Sequence, residues 1–360
     1  MKFLFNETQT MMAESIHSLL NDNYSFGDLR KLLSENKKHS PDLWQQFAEL
    51  GVTGMLVSEE LNGLGLTESD LTLIAEACGY SAIPDPLIDQ AGLVAPLLAA
   101  CTKASRANEA LQTILEGRGI VSISHPQNKI TTDTSVSQFL LGISDAEIHL
   151  IDMDEVHVTP VESVDPLRDI ANVDWQPNAD TKIAEGADAD RQAALLFERG
   201  ALFSAAQGLG LAQRAIDIAV EFSKERQQFG KAIGTFQAVK HLLATAKVKI
   251  EFAKPVVYAA AAQIAQSDIY SRSRVSHAKL AAFDAADHAA RAALQVHGAM
   301  GYSWEVDIHF ILKRIIALSG MWGDSIFHRE RTKLRILSTE LGPDRTFLSE
   351  NEQALSGGHP

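Results

Sequence analysis

The hydrophobic period of this chain changes twice, and those two changes limit the folds open to it. Up to about residue 115, apolar side chains recur every three or four positions. The runs Phe3 to Leu20, Phe26 to Ser34, Asp42 to Leu50, Ser69 to Tyr80 and Leu87 to Cys101 are therefore predicted as helices. Ser69 and Asp70 read as the cap that opens the fourth of these. Between about 116 and 182 short β-prone runs take over, broken by Asn, Asp, Pro and Gly: Gly119 to Ser124, Phe139 to Ile143, Ile148 to Met153, Val156 to Val161 and Ile170 to Trp175. From about Arg191 to Leu341 the helical spacing returns. Its alanine-dense faces, such as Lys279 to Leu294, let helices approach closely and suit a bundle. Residues beyond Gly342 carry Gly, Ser, Pro and acidic side chains and are expected to form a frayed tail.

A chain of 360 residues exceeds what one hydrophobic core holds, roughly 250 to 300 residues, so two or three lobes are expected. Acidic residues outnumber basic ones by 46 to 32, a formal charge of -14, which argues against nucleic acid or an anionic membrane as the main partner. An anionic small ligand remains possible where basic groups cluster locally. The two cysteines, Cys78 and Cys101, have no CxxC neighbour and no histidine cluster. Neither a disulfide framework nor a metal site is expected, and a reducing cytoplasm fits. The apolar start of the chain meets Asn6 and Glu7 at once, so no signal peptide is expected. No apolar run approaches the ~20 residues of a membrane span.

The most distinctive local stretch is EFSKERQQFGKAIGTFQAVKH, Glu221 to His241, a polar break between two helical patterns. It holds Arg226, whose planar fork of donors matches phosphate or carboxylate, Phe229, which can stack on a ring, and glycines that let a backbone approach closely. Spacing alone favours a helix-helix turn with a surface ion pair. The wording of ERQQFGKAIGTFQ, however, resembles the FAD-binding signature of the acyl-CoA dehydrogenase family. A second block, QVHGAMGYSWEVDIHFILKR from Gln295 to Arg314, resembles that family's later glycine segment. A third, FAELGVTGMLVSEELNGLGL from Phe47 to Leu66, resembles its N-terminal helix and glycine turn, a structural loop near the acyl pocket.

The resemblance implies a mostly α fold, acyl-CoA dehydrogenase-like. It would have an N-terminal helical domain over 1–115, a shortened middle β-domain over 116–182, a C-terminal four-helix bundle over 183–345 and a tail over 346–360. It implies FAD as cofactor, an acyl-CoA thioester as substrate, desaturation between Cα and Cβ, and an electron-transfer flavoprotein as acceptor. Carried over residue by residue, Arg226 would contact the FAD pyrophosphate, Phe229 would lie beside the adenine and Gln237 would support that end. Gln295, Gly298 and Gly301 would bring backbone to the diphosphate of a neighbouring subunit's FAD.

The chain departs from the pattern in four places. Ala299 stands where members have a second glycine after Gly298. Ser124, His125, Pro126 and Gln127 replace the family's GSD-containing segment. The glutamate that takes the α-proton is replaced by Gly323 in the loop position, and by Gly200 in the helix position used by another branch. Glu198 lies two residues, about 200° of helix rotation, from Gly200. Asp324 is then the in-chain candidate base, with an N-cap role as the competing reading. HGAMGYSWEVDIHFILKR also resembles the branch acting on steroid side-chain CoA esters, in which two dissimilar chains form an α2β2 tetramer with fewer flavins than subunits. Three roles follow as expectations: a subunit of a hetero-oligomeric enzyme, a non-catalytic partner that completes an FAD site, or an autonomous homo-oligomer using Asp324.

Overall fold

The computed structural model describes residues 5–264 and 269–338. The tail expected over 346–360 lies outside the described residues. The first lobe begins with α1 (Glu7–Asn23), α2 (Phe26–Ser34), α3 (Pro41–Glu49) and α4 (Glu68–Ser81). Reciprocal caps set their starts: Asn6 with Gln9 before α1 and Ser25 with Asp28 before α2. For α4 the cap is Thr67 rather than Ser69. The Asp70 carboxylate accepts the Thr67 N–H at 2.8 Å, so Asp70 serves as the partner three residues into the helix. Between α3 and α4 the segment at 51–66 folds into two 3₁₀ turns, Val52–Gly54 and Glu59–Leu61. It is tight enough that a Cβ on Gly63 would sit 2.1 Å from the Val57 carbonyl oxygen.

The stretch read as one helix from Leu87 is interrupted: α5 (Leu87–Asp89), a π turn (Gln90–Val94) and α6 (Ala95–Ala100) follow one another. The irregularity has a use. The buried Gln90 amide clamps the start of the sheet, accepting from Val121 N–H at 3.0 Å and donating to Val121 C=O at 2.8 Å. A further helix, α7 (Ser105–Leu115), closes the lobe and was not among the helices read from periodicity.

Seven strands follow: β1 (Val121–Ser124), β2 (Thr131–Thr132), β3 (Phe139–Ser144), β4 (Glu147–Asp152), β5 (His157–Pro160), β6 (Ile170–Asp174) and β7 (Lys182–Glu185). They form a four-stranded sheet in the order β1-β3-β4-β7, with β1 and β3 parallel, and a three-stranded sheet in the order β2-β6-β5. Alternation along the strands splits their apolar residues between two cores. Leu141, Ile148 and Leu150 join the main core, whereas Leu140, Ile151 and Val156 form a small cluster of their own beside Trp175.

The last lobe is built on α8 (Gly186–Glu225), 40 residues or about 60 Å long. It packs against α4, against α9 (Gln237–Ala261) and α10 (Ile269–His297), and against α11 (Ile308–Ser319). The last helix among the described residues, α12 (Ser325–Ser338), lies on α10. Small residues set these approaches. Ala278, Ala282, Ala285, Ala286, Ala289 and Ala293 are buried along α10, and a Cβ on Gly210 would lie 1.9 Å from the Glu76 carbonyl oxygen of α4. The polar break after α8 is a two-residue hairpin joining β8 (Gln227–Gln228) to β9 (Lys231–Ala232), rather than a plain helix-helix turn.

Candidate functional site

Two places carry the residues singled out from sequence, and they differ in kind. The first is the outer edge at the end of α8 and the start of α9. The hairpin tip holds Phe229 at φ +55° and Gly230 at φ +77°, the doubly left-handed geometry of a type I′ turn. Glycine adopts it freely, but phenylalanine is strained there by roughly 1–2 kcal/mol. Phe229 is nonetheless 91% exposed, so burial does not repay that strain. Its nearest aromatic neighbour is Phe236, edge-on at 6.2 Å.

Arg226 caps α8, its N–H donating to Phe222 C=O at 2.9 Å. Its guanidinium is exposed and has no hydrogen-bond or ion-pair partner among the described residues. Gln237 is exposed at the first position of α9, a helix whose first turn has no side-chain cap. Its N–H groups are thus open to an anion. Phe222 stacks on His297 at 4.2 Å, which lays the last turn of α8 against the last turn of α10. That turn carries Gln295, exposed, and leads to Gly298, at φ +59° with nothing within 4 Å of where a Cβ would stand. Gly301 is different: it is buried, and a Cβ there would meet Leu294, so packing accounts for it. A cleft of about 480 Å³ lies beneath the hairpin, lined by Val220, Ser223, Ala232, Gly234, Val239 and Leu243. A free guanidinium, an uncapped helix start, an exposed aromatic and two open glycines fit the phosphate and adenine end of a dinucleotide such as FAD.

The second place is the interior, where α5, α8, α11 and the loop residues Asp133 and Arg168 of the β-region meet and a reacting centre would be expected. It does not fit a flavin ring. The cavity has only about 50 Å³ and is walled by Asp85, Asp89, Asp133, Arg168, Gly200 and Trp322. None of the lining comes from the 51–66 loop. Burial pushes the Asp89 carboxyl up to about 6. Burial, with the Asp89 charge beside it, pushes Asp133 up to about 7. Asp85 accepts from the Tyr24 hydroxyl and from Ser40 N–H and contacts His39, and Arg314 pairs with Asp165 and donates to Ile83 C=O. Lys279 is buried, which lowers its ammonium pKa, and it donates to Ser204 Oγ at 2.5 Å and to the α11 carbonyl of Leu318 at 3.0 Å.

Both positions where the resemblance places a glutamate are glycines because there is no room for more. A Cβ on Gly200 would stand 2.3 Å from the Trp322 ring. One on Gly323, itself at φ +89°, would stand 2.7 Å from Phe327 and 2.8 Å from His328. Asp324 is exposed and accepts the Phe327 N–H at 2.9 Å, so the structure places it as the N-cap of α12. Glu198 is buried and ion-paired with Arg331, and burial raises its pKa.

Sequence reasoning did not anticipate Trp322, nor the acidic and basic residues around the cavity. The available signal was the lost GSD segment. In its place His125 stacks on Phe197 at 5.4 Å and lies edge-on to Trp322 at 5.9 Å, while Asn128 Oδ1 accepts the Trp322 N–H at 2.8 Å. Of the other histidines, His328 bridges Ser276 and Trp322 C=O. Burial beside Lys313 and Arg30 depresses His309 to about 4. No group of three His, Cys, Asp or Glu among the described residues could hold a metal, and none of the described helices is long and apolar enough to cross a membrane.

Comparison with known proteins adds to this geometry. Residues 6–118 match the family described as "Acyl-CoA dehydrogenase, N-terminal domain", and residues 185–336 match "Acyl-CoA dehydrogenase, C-terminal domain". The acyl-CoA dehydrogenase IpdE2 of Mycolicibacterium smegmatis is 28% identical over 338 residues, covering 93% of this chain and 99% of that protein. Among solved structures, the ChsE4-ChsE5 complex from Mycobacterium tuberculosis has a chain that superposes with a TM-score of 0.81 at 18% identity, covering 95% of this chain and all of that one. A variant of the Tcur3481-Tcur3483 steroid ACAD gives a TM-score of 0.80 at 20% identity, covering 92% and 98%. At these identities the structural likeness speaks for the fold.

Proposed function

The chain belongs to the acyl-CoA dehydrogenase family of FAD-dependent oxidoreductases, and on that premise we propose that it works as one subunit of a hetero-oligomeric enzyme. The enzyme would desaturate a bulky acyl-CoA, a steroid side-chain thioester being the class that fits best. In this reading Arg226 holds the diphosphate, Phe229 lies on the adenine, and Gln237, Gln295 and Gly298 complete the grip on an FAD shared with a second acyl-CoA dehydrogenase-like chain. Bound FAD supplies the acceptor for the hydride that leaves the β-carbon.

This chain's part is binding and orientation. Its guanidinium neutralises phosphate charge, and its open glycines let backbone N–H groups approach the phosphate oxygens. The α-proton passes to a carboxylate of the partner chain, because here Asp324 caps a helix and Glu198 is held by Arg331. The observation that carries the proposal is the contrast between a surface edge where Arg226 has no partner among the described residues and Gly298 faces open space, and an interior cavity of only about 50 Å³. A relative described as IpdE2, a two-chain complex and a steroid ACAD among the similar structures support the hetero-oligomer and the substrate class. An electron-transfer flavoprotein is the proposed final acceptor.

Purification of the chain alone and after co-expression with a full-length acyl-CoA dehydrogenase partner tests this. The chain alone should be colourless, and the complex should be yellow and bleach with a steroid side-chain CoA thioester. A chain that is yellow by itself and is bleached by acyl-CoA would establish the autonomous reading instead. In the complex Asp324→Asn should leave turnover unchanged; a large loss would return the base role to Asp324.

A further inference from the structure

The Trp322 indole is buried at 4% exposure in the middle of the fold, yet its backbone lies in the left-handed region at φ +56°, where a bulky residue is an outlier. Two hydrogen bonds hold that conformation. Its N–H donates to Asn128 Oδ1 at 2.8 Å, and its C=O accepts from His328 Nε2 at 2.9 Å. The ring is fixed as firmly as the backbone. Phe197 stands edge-on to it at 6.3 Å and His125 at 5.9 Å, and the wall opposite is the bare backbone of Gly200. Burial depresses His125 to about 4, so this aromatic wall is uncharged near neutral pH.

Strain, a dedicated pair of hydrogen bonds from two different elements and a glycine that clears the space all serve one end, which is to keep an indole in this volume. We propose that Trp322 is a built-in occupant of this chain's interior site, a plug that shuts the cavity between α5, α8 and α11 against any flat aromatic ligand or acyl chain. The sealing stands on these contacts alone. Only its consequence, that the flavin ring of the assembly is housed wholly by the partner chain, rests on the function proposed above.

Removal of the plug should leave a ring-shaped vacancy. The vacancy would lie between Phe197, His125 and the Gly200 backbone, and ring-sized cavities of roughly 150 Å³ take up benzene-sized probes, so Trp322→Gly should create a site for free indole. The full-length chain, in complex with its partner where it requires one, is titrated with indole and with lumiflavin by calorimetry and by thermal melting. Trp322→Gly should melt lower than wild type, recover on adding indole, and bind indole at least about tenfold more tightly than wild type does, a difference of about 1.4 kcal/mol. A folded Trp322→Gly that indole neither binds nor restabilises, or a wild type that binds lumiflavin inside this cavity, overturns the proposal.

Gly200→Ala covers the case in which the first variant does not fold. The added methyl should expel the ring, giving a red-shifted tryptophan emission and increased quenching by acrylamide. Emission identical to wild type shows that the ring is not confined there. Neither experiment reads flavin retention by Arg226, so failure here and failure of the proposed function are separable.

Discussion

The outer edge and the interior cavity are made of the same kinds of residue, arginine, aromatic and glycine, used in opposite ways. At the edge, Arg226 has no partner among the described residues, Phe229 is exposed and Gly230 and Gly298 face open space. Inside, Arg314 is paired with Asp165, Trp322 is buried and Gly200 and Gly323 have no room for a Cβ. Both regions hold an aromatic residue at positive φ, Phe229 and Trp322, but only the second is repaid by packing. Strain that packing repays indicates a structural role. Strain on an exposed ring suggests that a ligand completes the site.

The comparison breaks most visibly at Trp322. Truncation of a buried aromatic costs about 3–5 kcal/mol, and relief of the backbone strain returns only a part, so Trp322→Ala should lower the denaturation midpoint by far more than any substitution at the edge. Equal melting temperatures for Trp322→Ala and Arg226→Ala would erase the distinction drawn here.

The interior acids give a smaller effect with a defined sign. Desolvation and the neighbouring Asp89 charge push the Asp133 carboxyl from its ordinary 3.8 up to about 7, so between those values the folded state holds the extra proton. Its ionisation therefore lowers stability as pH rises through that window, and acidification from pH ~7 towards ~5 should raise the melting temperature of wild type relative to Asp133→Asn. A difference between the two that does not change with pH contradicts the placement of Asp133 against Asp89 in the cavity wall.

At the edge the expected changes are smaller and, at one residue, inverted. Asn-Gly is the preferred type I′ pair, so Phe229→Asn should stabilise the free chain by about 1 kcal/mol while weakening flavin binding in the complex. Loss on both counts would show that Phe229 has a packing role. Away from the edge, at the start of α12, Asp324→Ala should cost about 1 kcal/mol through the lost cap and leave catalysis alone.

Much of this contrast was readable before the structure. The edge was legible because it is local: ERQQFG and QVHGAMG each place their groups within a few residues, and the helical period on either side is unambiguous. Helices α1 to α4 and the strands with clear alternation were legible for the same reason, whereas α7 and the π turn within 87–100 were not. What escaped depended on distant contacts. Two-residue β2 and the partly exposed β7 carry too little pattern to be read, and α8 begins at Gly186, earlier than its apolar spacing suggests. That the two base positions are glycines was plain in the sequence. The reason, an indole from after α11 resting on α8 and clamped by Asn128 from the turn between β1 and β2, exists only in three dimensions.

The central claim is that the outward edge serves a dinucleotide held between two chains. Its most direct test is the flavin released per denatured complex when Arg226→Ala is introduced into this chain alone. Loss of a charge-assisted, bidentate contact worth roughly 1.5–3 kcal/mol should weaken retention about 10- to 100-fold, leaving the complex assembled but nearly colourless after dialysis. An assembled complex that keeps its full flavin content without Arg226 would contradict the account.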